Sequence, residues 1–185
     1  MKYYRLSIWM SLSLFAMLLS SCGYHLGTSS LSGQYQTFYV PYVKGDVQGY
    51  FTQTLINRIA VATPLRYDQD GADLEVKVCL SAPAQRNIGY IYAPNLPNVT
   101  TPNEGRLTQT ATVTVVDCAR RCTVMGPTEI TAWLDYDFEP DLGTVNRHAF
   151  SLGQLEMNPL ARDAAGPALY GLLSEKIVDY VNNSW

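Results

Sequence analysis

Three stretches of the chain alternate between apolar and polar side chains, which is the period-two pattern of half-buried β-strands. They are residues 72–80, 106–117 and 129–138. Because the second and third stretches are consecutive and joined by a short turn, we expect them to pair antiparallel. A shorter apolar segment at residues 37–43 predicts a fourth strand, with Pro41 at an edge or a strand end because proline has no N–H to donate.

Two other stretches repeat their apolar residues at helical spacing. In the first, these residues recur every four positions at Val47, Phe51, Leu55 and Ile59. Asp46 suits the N-cap position of this helix, which should end before Pro64.

The second helix is predicted to begin at Asn158-Pro159 and to kink or restart at Pro167. Its apolar stripe consists of Leu169, Leu172, Leu173, Ile177, Tyr180 and Val181. The stripe should pack against the same core as the first helix, because each strand also offers one apolar face.

The order strand, helix, three strands, helix predicts an α+β fold. We expect a two-layer sandwich in which a four-stranded, mostly antiparallel sheet carries both helices on one face. The first strand should lie parallel to the second, because the helix between them permits a right-handed crossover. Residues 81–105 hold four prolines and no clear period, which predicts a long connecting loop. Residues 37–185 are therefore predicted to form one domain.

The first residues are typical of an export signal. Lys2 and Arg5 precede an apolar stretch at residues 8–19, which is too short for a bilayer core of roughly 30 Å. Ser20-Ser21-Cys22 at its end resembles the lipobox of bacterial lipoproteins. The resemblance implies removal of residues 1–21 and covalent attachment of acyl and diacylglycerol lipid, palmitate included, at Cys22. Residues 22–36 would form an acylated tether, and an ordinary signal peptide with an incidental cysteine is the alternative.

The position after the cysteine bears on location. Gly23, rather than Asp, follows Cys22. In lipoproteins of this kind that implies sorting to the outer membrane, where the chain would be lipid-anchored on the periplasmic face. Several acyl chains at one terminus would give stable anchoring.

The charge balance excludes one class of partner. The chain has 13 Lys and Arg against 16 Asp and Glu, a net charge of −3 at pH 7, so it lacks the basic footprint of a nucleic-acid-binding protein. Charged residues make up 16% of the chain, below the usual value of roughly 25%. The composition indicates a folded domain with an unusually neutral polar surface.

The remaining cysteines allow three states. Cys118 and Cys122 flank a short predicted turn, which can bring them close enough for a disulfide in an oxidising compartment, and free thiols are the equally open alternative. A zinc site that adds Cys79 and His148 has a weak signature. No metal and no cofactor are therefore expected.

Catalytic chemistry finds little support in the motifs. The chain has no Gly-x-Ser-x-Gly elbow, and His25 and His148 fall in a tether and a loop. Asp135 and Asp137 are two residues apart on a strand, which is typical of a solvated face. We expect a protein that is not an enzyme, and an envelope hydrolase is the weakest of the alternatives.

Several short motifs together resemble a known family. They are Cys22-Gly-Tyr-His-Leu26 at the acylation site, the Val-Pro-Tyr segment at residues 40–42, Ala72-Asp73 opening the second strand, Gly105-Arg106 opening the third, Asp117 closing it, and the long last helix. This arrangement is similar to the lipopolysaccharide-assembly lipoproteins (LptE, also called RlpB). The resemblance implies a lipoprotein that sits as a plug inside a large outer-membrane β-barrel, LptD, assists assembly of that translocon, and can bind lipopolysaccharide. A lipoprotein accessory subunit of another envelope lipid-transport or secretion complex is the alternative.

The resemblance also suggests contact residues. For the barrel they are Thr108, Thr110, Thr112 and Thr114, since a barrel lumen is polar. A solvated strand would show the same threonines. For lipopolysaccharide they are Arg86, Arg106, Arg147 and Arg162, which could equally be ordinary surface arginines. Because the acidic balance disfavours electrostatic capture of an anionic glycolipid, barrel contact is the stronger expectation.

Overall fold

The computed structural model describes residues 34–92, 100–138 and 157–183. The predicted signal peptide, Cys22, nearly all of the tether, Arg147 and His148 lie outside these residues. The strands are β1 Thr37–Tyr39, β2 Arg66–Tyr67, β3 Leu74–Leu80, β4 Ala84–Tyr92, β5 Thr100–Asp117 and β6 Cys122–Asp137. The helices are α1 Tyr50–Ala62 and α2 Met157–Asn183.

The strands form one mixed sheet with the order β2-β1-β3-β5-β6, and β4 pairs with the first half of β5 on the same edge as β3. The pairs that β1 makes with β2 and β3 are parallel, whereas β3, β4 and β6 all pair antiparallel with β5. The α+β class, the antiparallel β5–β6 pair and the parallel β1–β3 pair are confirmed. The sheet has six strands rather than four.

The predicted loop at residues 81–105 was wrong over most of its described length. β4 lies in it, and its register with β5 runs from Ala84 opposite Thr108 to Tyr92 opposite Thr100. Every side chain of β4 is exposed or half-exposed, so neither face imposes an alternation that the sequence could show. Pro83 falls in the break between β3 and β4, and Pro102 lies where a bulge disrupts the ladder.

The core lies between one face of the sheet and the two helices. It contains Val76, Val78, Ala111, Val113 and Val115 from the sheet and Phe51, Leu55, Leu169, Leu173 and Ile177 from the helices. Burying each large aliphatic or aromatic side chain stabilises the fold by about 1.5–3 kcal/mol. This packing is what holds β5 flat against the helices on one side and leaves its other side uncovered.

The start of α1 differs from the prediction. The carboxylate of Asp46 accepts hydrogen bonds from the N–H of Gly49 (3.1 Å), the N–H of Thr52 (2.7 Å) and the hydroxyl of Thr52 (2.8 Å). The chain bends between Asp46 and the first helical residue, and Gly49 there has a φ of 77°. Val47 is therefore 93% exposed and does not belong to the apolar stripe.

α2 is continuous through Pro167 and does not restart there. Its buried stripe matches the prediction at Leu169, Leu173, Ile177 and Val181, but Leu172 is exposed and Val178 is buried instead. Neither helix in the described part of the chain is long and apolar enough to cross a membrane.

Candidate functional site on the open face of the sheet

The face of the sheet turned away from the helices carries polar side chains, and we call it the open face. Its members are Glu75, Lys77 and Cys79 from β3, Arg106, Thr108, Thr110, Thr112 and Thr114 from β5, and Glu129, Thr131, Trp133 and Asp135 from β6. The four predicted threonines lie here, all half-buried, because successive side chains of β5 point to opposite faces. The predicted partition of β5 and β6 into a core face and a polar face is confirmed.

Three side chains of the open face, Arg106, Trp133 and Asp135, contact one another, and we call them the Arg106 cluster. Arg106 lies directly opposite Asp135 across the β5–β6 pair, and Trp133 is its diagonal neighbour. The guanidinium donates to both carboxylate oxygens of Asp135, from Nε at 2.7 Å and from an Nη at 2.9 Å. The same guanidinium carbon lies 4.1 Å from the centre of the Trp133 ring, which is 51% exposed.

Electrostatics keeps this cluster ionised. The hydrogen bonds from Arg106 hold the pKa of Asp135 below its ordinary value, and the hydrogen bonds to Asp135 raise the pKa of Arg106. Both side chains are therefore charged at neutral pH. Because a solvent-accessible ion pair adds little to the stability of a fold, the main consequence of this pair is that it fixes the orientation of Arg106 over the indole.

Two more pairs of side chains interact within the open face. The hydroxyls of Thr110 and Thr131 are 2.9 Å apart, and Lys77 lies 3.1 Å from the carboxylate of Glu75. Thr110 and Thr131 form a non-hydrogen-bonded pair of the β5–β6 ladder, because the carbonyl of Thr110 points the other way and accepts from Ser81. In such pairs the two side chains lie closer together than in hydrogen-bonded pairs. The face therefore offers hydroxyls and neutralised ion pairs to whatever covers it.

The four arginines predicted for glycolipid contact do not form one site. Arg86 on β4 lies directly opposite Arg106, so these two are cross-strand neighbours. Arg162 is on α2, in the helix layer, and pairs with Asp163 at 2.9 Å. Arg147 lies outside the described residues. Arg120, on the β5–β6 turn, contacts Asp117 at the opposite end of β5.

Of the two states left open for Cys118 and Cys122, this structure has the free thiols. Cys79, Cys118 and Cys122 are exposed free thiols. Cys122 pairs across the turn with Asp117 rather than Cys118, whose N–H donates to the carbonyl of Asp73 on the β3 side at 2.9 Å. Partial burial raises the pKa of the Cys118 thiol, and the neighbouring carboxylates add to the shift. Among the described residues no three metal-ligating side chains come together.

The sequence alone did not identify the Arg106 cluster. Alternation placed Trp133 and Asp135 on the polar face of β6, and Arg106 on the polar face of β5. What joins them is the register between these two strands, which is set by bulges in β6. The signal available in the sequence was a Trp two residues before an Asp, both on the polar face of a predicted strand.

The chain matches no protein-family model and no curated protein sequence. Its fold is similar to that of several solved structures. A minor lipoprotein from Acinetobacter baumannii is 14% identical and superimposes with a TM-score of 0.50 over 81% of this chain and 92% of that one. Lipoprotein B from Nitrosomonas europaea is 13% identical, with a TM-score of 0.46 over 80% and 79% of the two chains. Rare lipoprotein B from Shewanella oneidensis is 11% identical, with a TM-score of 0.43 over 79% and 92%.

Proposed function

We propose that this chain is an outer-membrane lipoprotein that plugs an LptD-like β-barrel translocon, assists its assembly, and so contributes to delivery of lipopolysaccharide to the cell surface. In this proposal the chain is anchored on the periplasmic face by lipid on Cys22 and acts through contact rather than catalysis. The observation that carries the proposal is the open face, which is polar and on which four of the charged side chains form two ion pairs.

The chemistry of the open face suits the inside of a barrel. A barrel lumen is polar, and a surface buried against it must satisfy its hydrogen-bonding groups. Threonine hydroxyls can both donate and accept, so they adapt to either kind of partner. Burying an unpaired charge against the barrel would be costly. Arg106 is already paired with Asp135, and Lys77 with Glu75, before the barrel is bound.

The Arg106 cluster supplies the kind of anchor that protein interfaces use. Trp and Arg are enriched among the residues that dominate binding energy. Here the two are already held together, so less side-chain freedom is lost when a partner binds. The basic start, apolar stretch and Ser-Ser-Cys sequence support lipid anchoring, and the fold shared with a protein named as a lipoprotein is consistent with it.

Direct lipopolysaccharide contact is the secondary part of the proposal. Arg86 and Arg106 are adjacent on the sheet, but Arg106 is already committed to Asp135. Arg86, which is exposed, is the predicted contact residue best placed to meet a phosphate.

Photo-crosslinking in living cells tests the proposal. A probe at Thr112 on the open face should crosslink to one large outer-membrane barrel, and the barrel should co-purify with the chain in mild detergent. A probe at the exposed Val61 on α1 shows whether contact is strongest at the open face. Recovery of the chain as a lone monomer, or a mature N-terminus without lipid at Cys22, would contradict the proposal. Crosslinking to a non-barrel envelope protein would favour the accessory-subunit alternative.

A further inference from the structure

The chain enters the described domain beside the turn between β5 and β6, at residues 118–121. The hydroxyl of Tyr35 donates to the carboxylate of Asp117, the last residue of β5, at 3.1 Å. The carboxylate of Asp73 accepts from the N–H groups of the two residues after Tyr35, at 2.8 Å and 3.0 Å. The carbonyl of Asp73 accepts from the N–H of Cys118 in the turn at 2.9 Å. These contacts, which we call the entry clamp, fix the start of the domain to this end of the sheet.

The length of chain before the entry clamp limits how far the turn can lie from the lipid of the proposed function. Residues 22–33 separate the acylated cysteine from Gln34, the first described residue. An extended chain spans at most about 3.3–3.6 Å per residue, so Gln34 lies within roughly 40 Å of Cys22. β5 has 18 residues, and its other end at Thr100 therefore lies roughly 55–60 Å from the turn. The tether gives the turn a higher effective concentration at the bilayer surface than the far end of β5.

The turn carries two consecutive arginines. Arg120 and Arg121 are both exposed. Arg120 lies 3.9 Å from the carboxylate of Asp117, so its charge offsets that of the entry clamp. Within the part of the chain that the structure describes, Arg121 forms no ion pair. Its guanidinium is therefore available to an external anion.

The backbone of Arg121 has a conformation that arginine rarely adopts. Its φ is 53°, and among the described residues it is the one non-glycine residue with a positive φ. Glycine and asparagine reach this left-handed region most readily, so arginine makes the turn less stable than either of them would. A side chain that is kept in an unfavourable conformation, and that no ion pair within the described domain uses, points to a contact outside the domain.

The acidic groups nearest the turn are already bound within the domain. The carboxylates of Asp73 and Asp117 accept hydrogen bonds in the entry clamp. Backbone N–H groups hold the pKa of both carboxyls below the ordinary value, so both are ionised acceptors at neutral pH. Glu75 is paired with Lys77 at 3.1 Å. None of these carboxylates needs Arg121 as a partner.

Two further acidic residues, Asp68 and Asp70, lie in the loop between β2 and β3. The carbonyl of Gly71 in that loop accepts from the hydroxyl of Thr37 on β1 at 3.4 Å. The loop therefore lies on the β1 side, two strand spacings or roughly 10 Å from β5. Charges are screened over about 8 Å at physiological ionic strength, so these two carboxylates repel an anion at the turn only weakly.

We propose that the β5–β6 turn faces the bilayer leaflet that holds the lipid on Cys22, and that Arg121 binds the phosphate of anionic phospholipid headgroups there. This assignment rests on the lipid anchor of the proposed function. The entry clamp positions the turn, the tether keeps it near the surface, and the negative potential of the lipid surface attracts the guanidinium. The far end of the β4–β5 hairpin consequently lies away from that leaflet.

Photo-crosslinking of the acylated, full-length chain in vesicles tests the orientation. The vesicles contain phosphatidylethanolamine and phosphatidylglycerol, and mass spectrometry first establishes whether Cys22 carries lipid. A photo-reactive residue in place of Ala119 should give about fivefold more phospholipid adduct than one in place of Tyr90, because the tether concentrates lipid at the turn. Both side chains are exposed in the described domain, so the two positions are matched for accessibility. Equal yields would overturn the orientation.

The ratio of phosphatidylglycerol to phosphatidylethanolamine in the Ala119 adducts tests Arg121. Arg121→Asn removes the charge but suits the positive φ, and we expect it to lower this ratio about fivefold. Arg121→Lys keeps the charge and should keep most of the ratio. Lys44→Gln removes an exposed charge beside Cys79, roughly 17 Å from the turn, and should leave the ratio unchanged.

The outcomes separate this proposal from the proposed function. A ratio that Arg121→Asn does not change, or that Lys44→Gln lowers equally, would refute the phosphate contact. A probe at Ala119 that crosslinks in living cells to protein and gives no phospholipid adduct would refute the orientation. Each of these results leaves the proposed function standing. A mature chain without lipid on Cys22 would instead contradict the proposed function and this assignment together.

Discussion

Replacing Trp133 by Ala separates binding from stability. The indole is half-exposed, so its removal costs the fold the contacts of the buried half and the stacking with Arg106, which lies 4.1 Å from the ring. An exposed cation–π contact is worth about 0.5–1 kcal/mol, and we expect a total loss of about 1 kcal/mol in the free energy of unfolding. A central interface Trp typically contributes about 2 kcal/mol or more, which is roughly 30-fold in affinity.

The assay compares two numbers for the same variant. Urea unfolding of the isolated domain gives the stability change, and competition with wild type for the barrel gives the binding change. Val61→Ala removes another exposed apolar side chain from the helix layer and should leave both numbers unchanged. Recovery of Trp133→Ala on the barrel at parity with wild type would refute the assignment of the open face as the contact surface. Loss of recovery matched by an equal loss of stability would refute it as well.

Three further predictions concern the scaffold. Asp46→Ala should lower the free energy of unfolding by about 2 kcal/mol in urea titrations, because the start of α1 loses its buried cap. Gly105→Ala should lower the free energy of unfolding by about 1–3 kcal/mol, since the new Cβ would lie 2.7 Å from the ring of Tyr136. Gly171→Ala is the matched control: its Cβ meets no atom within 4 Å, so it should raise the free energy of unfolding by about 0.5–1 kcal/mol in the same titrations. The backbone N–H of Arg120 donates to Asp117 and lowers the pKa of that carboxyl group. The ionised carboxylate therefore stabilises the fold fully above the ordinary pKa of 3.8, and this stabilisation is lost as the pH falls through the lowered pKa. Asp117→Asn should lower the free energy of unfolding at pH 7 and make it depend less on pH below 3.8.

The sequence predicted those parts of the fold in which one face is buried. Alternation in β3, β5 and β6 identified which side chains reach the core, and the spacing of Phe51, Leu55 and Ile59 identified the buried stripe of α1. In each case burial of one face forces a period on the sequence. The parallel placement of β1 beside β3 followed from the crossover rule rather than from any side chain.

The parts that the sequence did not predict lack such a period. β4 is exposed on both faces, so its hydrogen bonds to β5 hold it in place without requiring apolar residues. Val47 occupies a helical position by spacing. The carboxylate of Asp46 instead accepts from the N–H groups of Gly49 and Thr52, and Val47 lies in the bend before the helix. Backbone hydrogen bonding decided both cases, and it leaves little trace in the residue pattern.

The geometry of the Arg106 cluster depends on a residue outside it. Near the β5–β6 turn, Val115 lies opposite Met125, and further along Val113 lies opposite Thr128, so Gly126-Pro127 forms a bulge in β6. Without that extra residue every later side chain of β6 would point to the other face.

The bulge is therefore what lets Met125 and Ile130, which differ in parity, both enter the core. The same change of parity places Trp133 and Asp135 on the open face, with Asp135 opposite Arg106. Gly126 has a φ of 82°, and a Cβ there would lie 2.3 Å from the carbonyl oxygen of Val113, so no other residue fits without displacing the strands. A glycine outside the cluster thus determines that Trp133 and Asp135 lie on the same face of the sheet as Arg106.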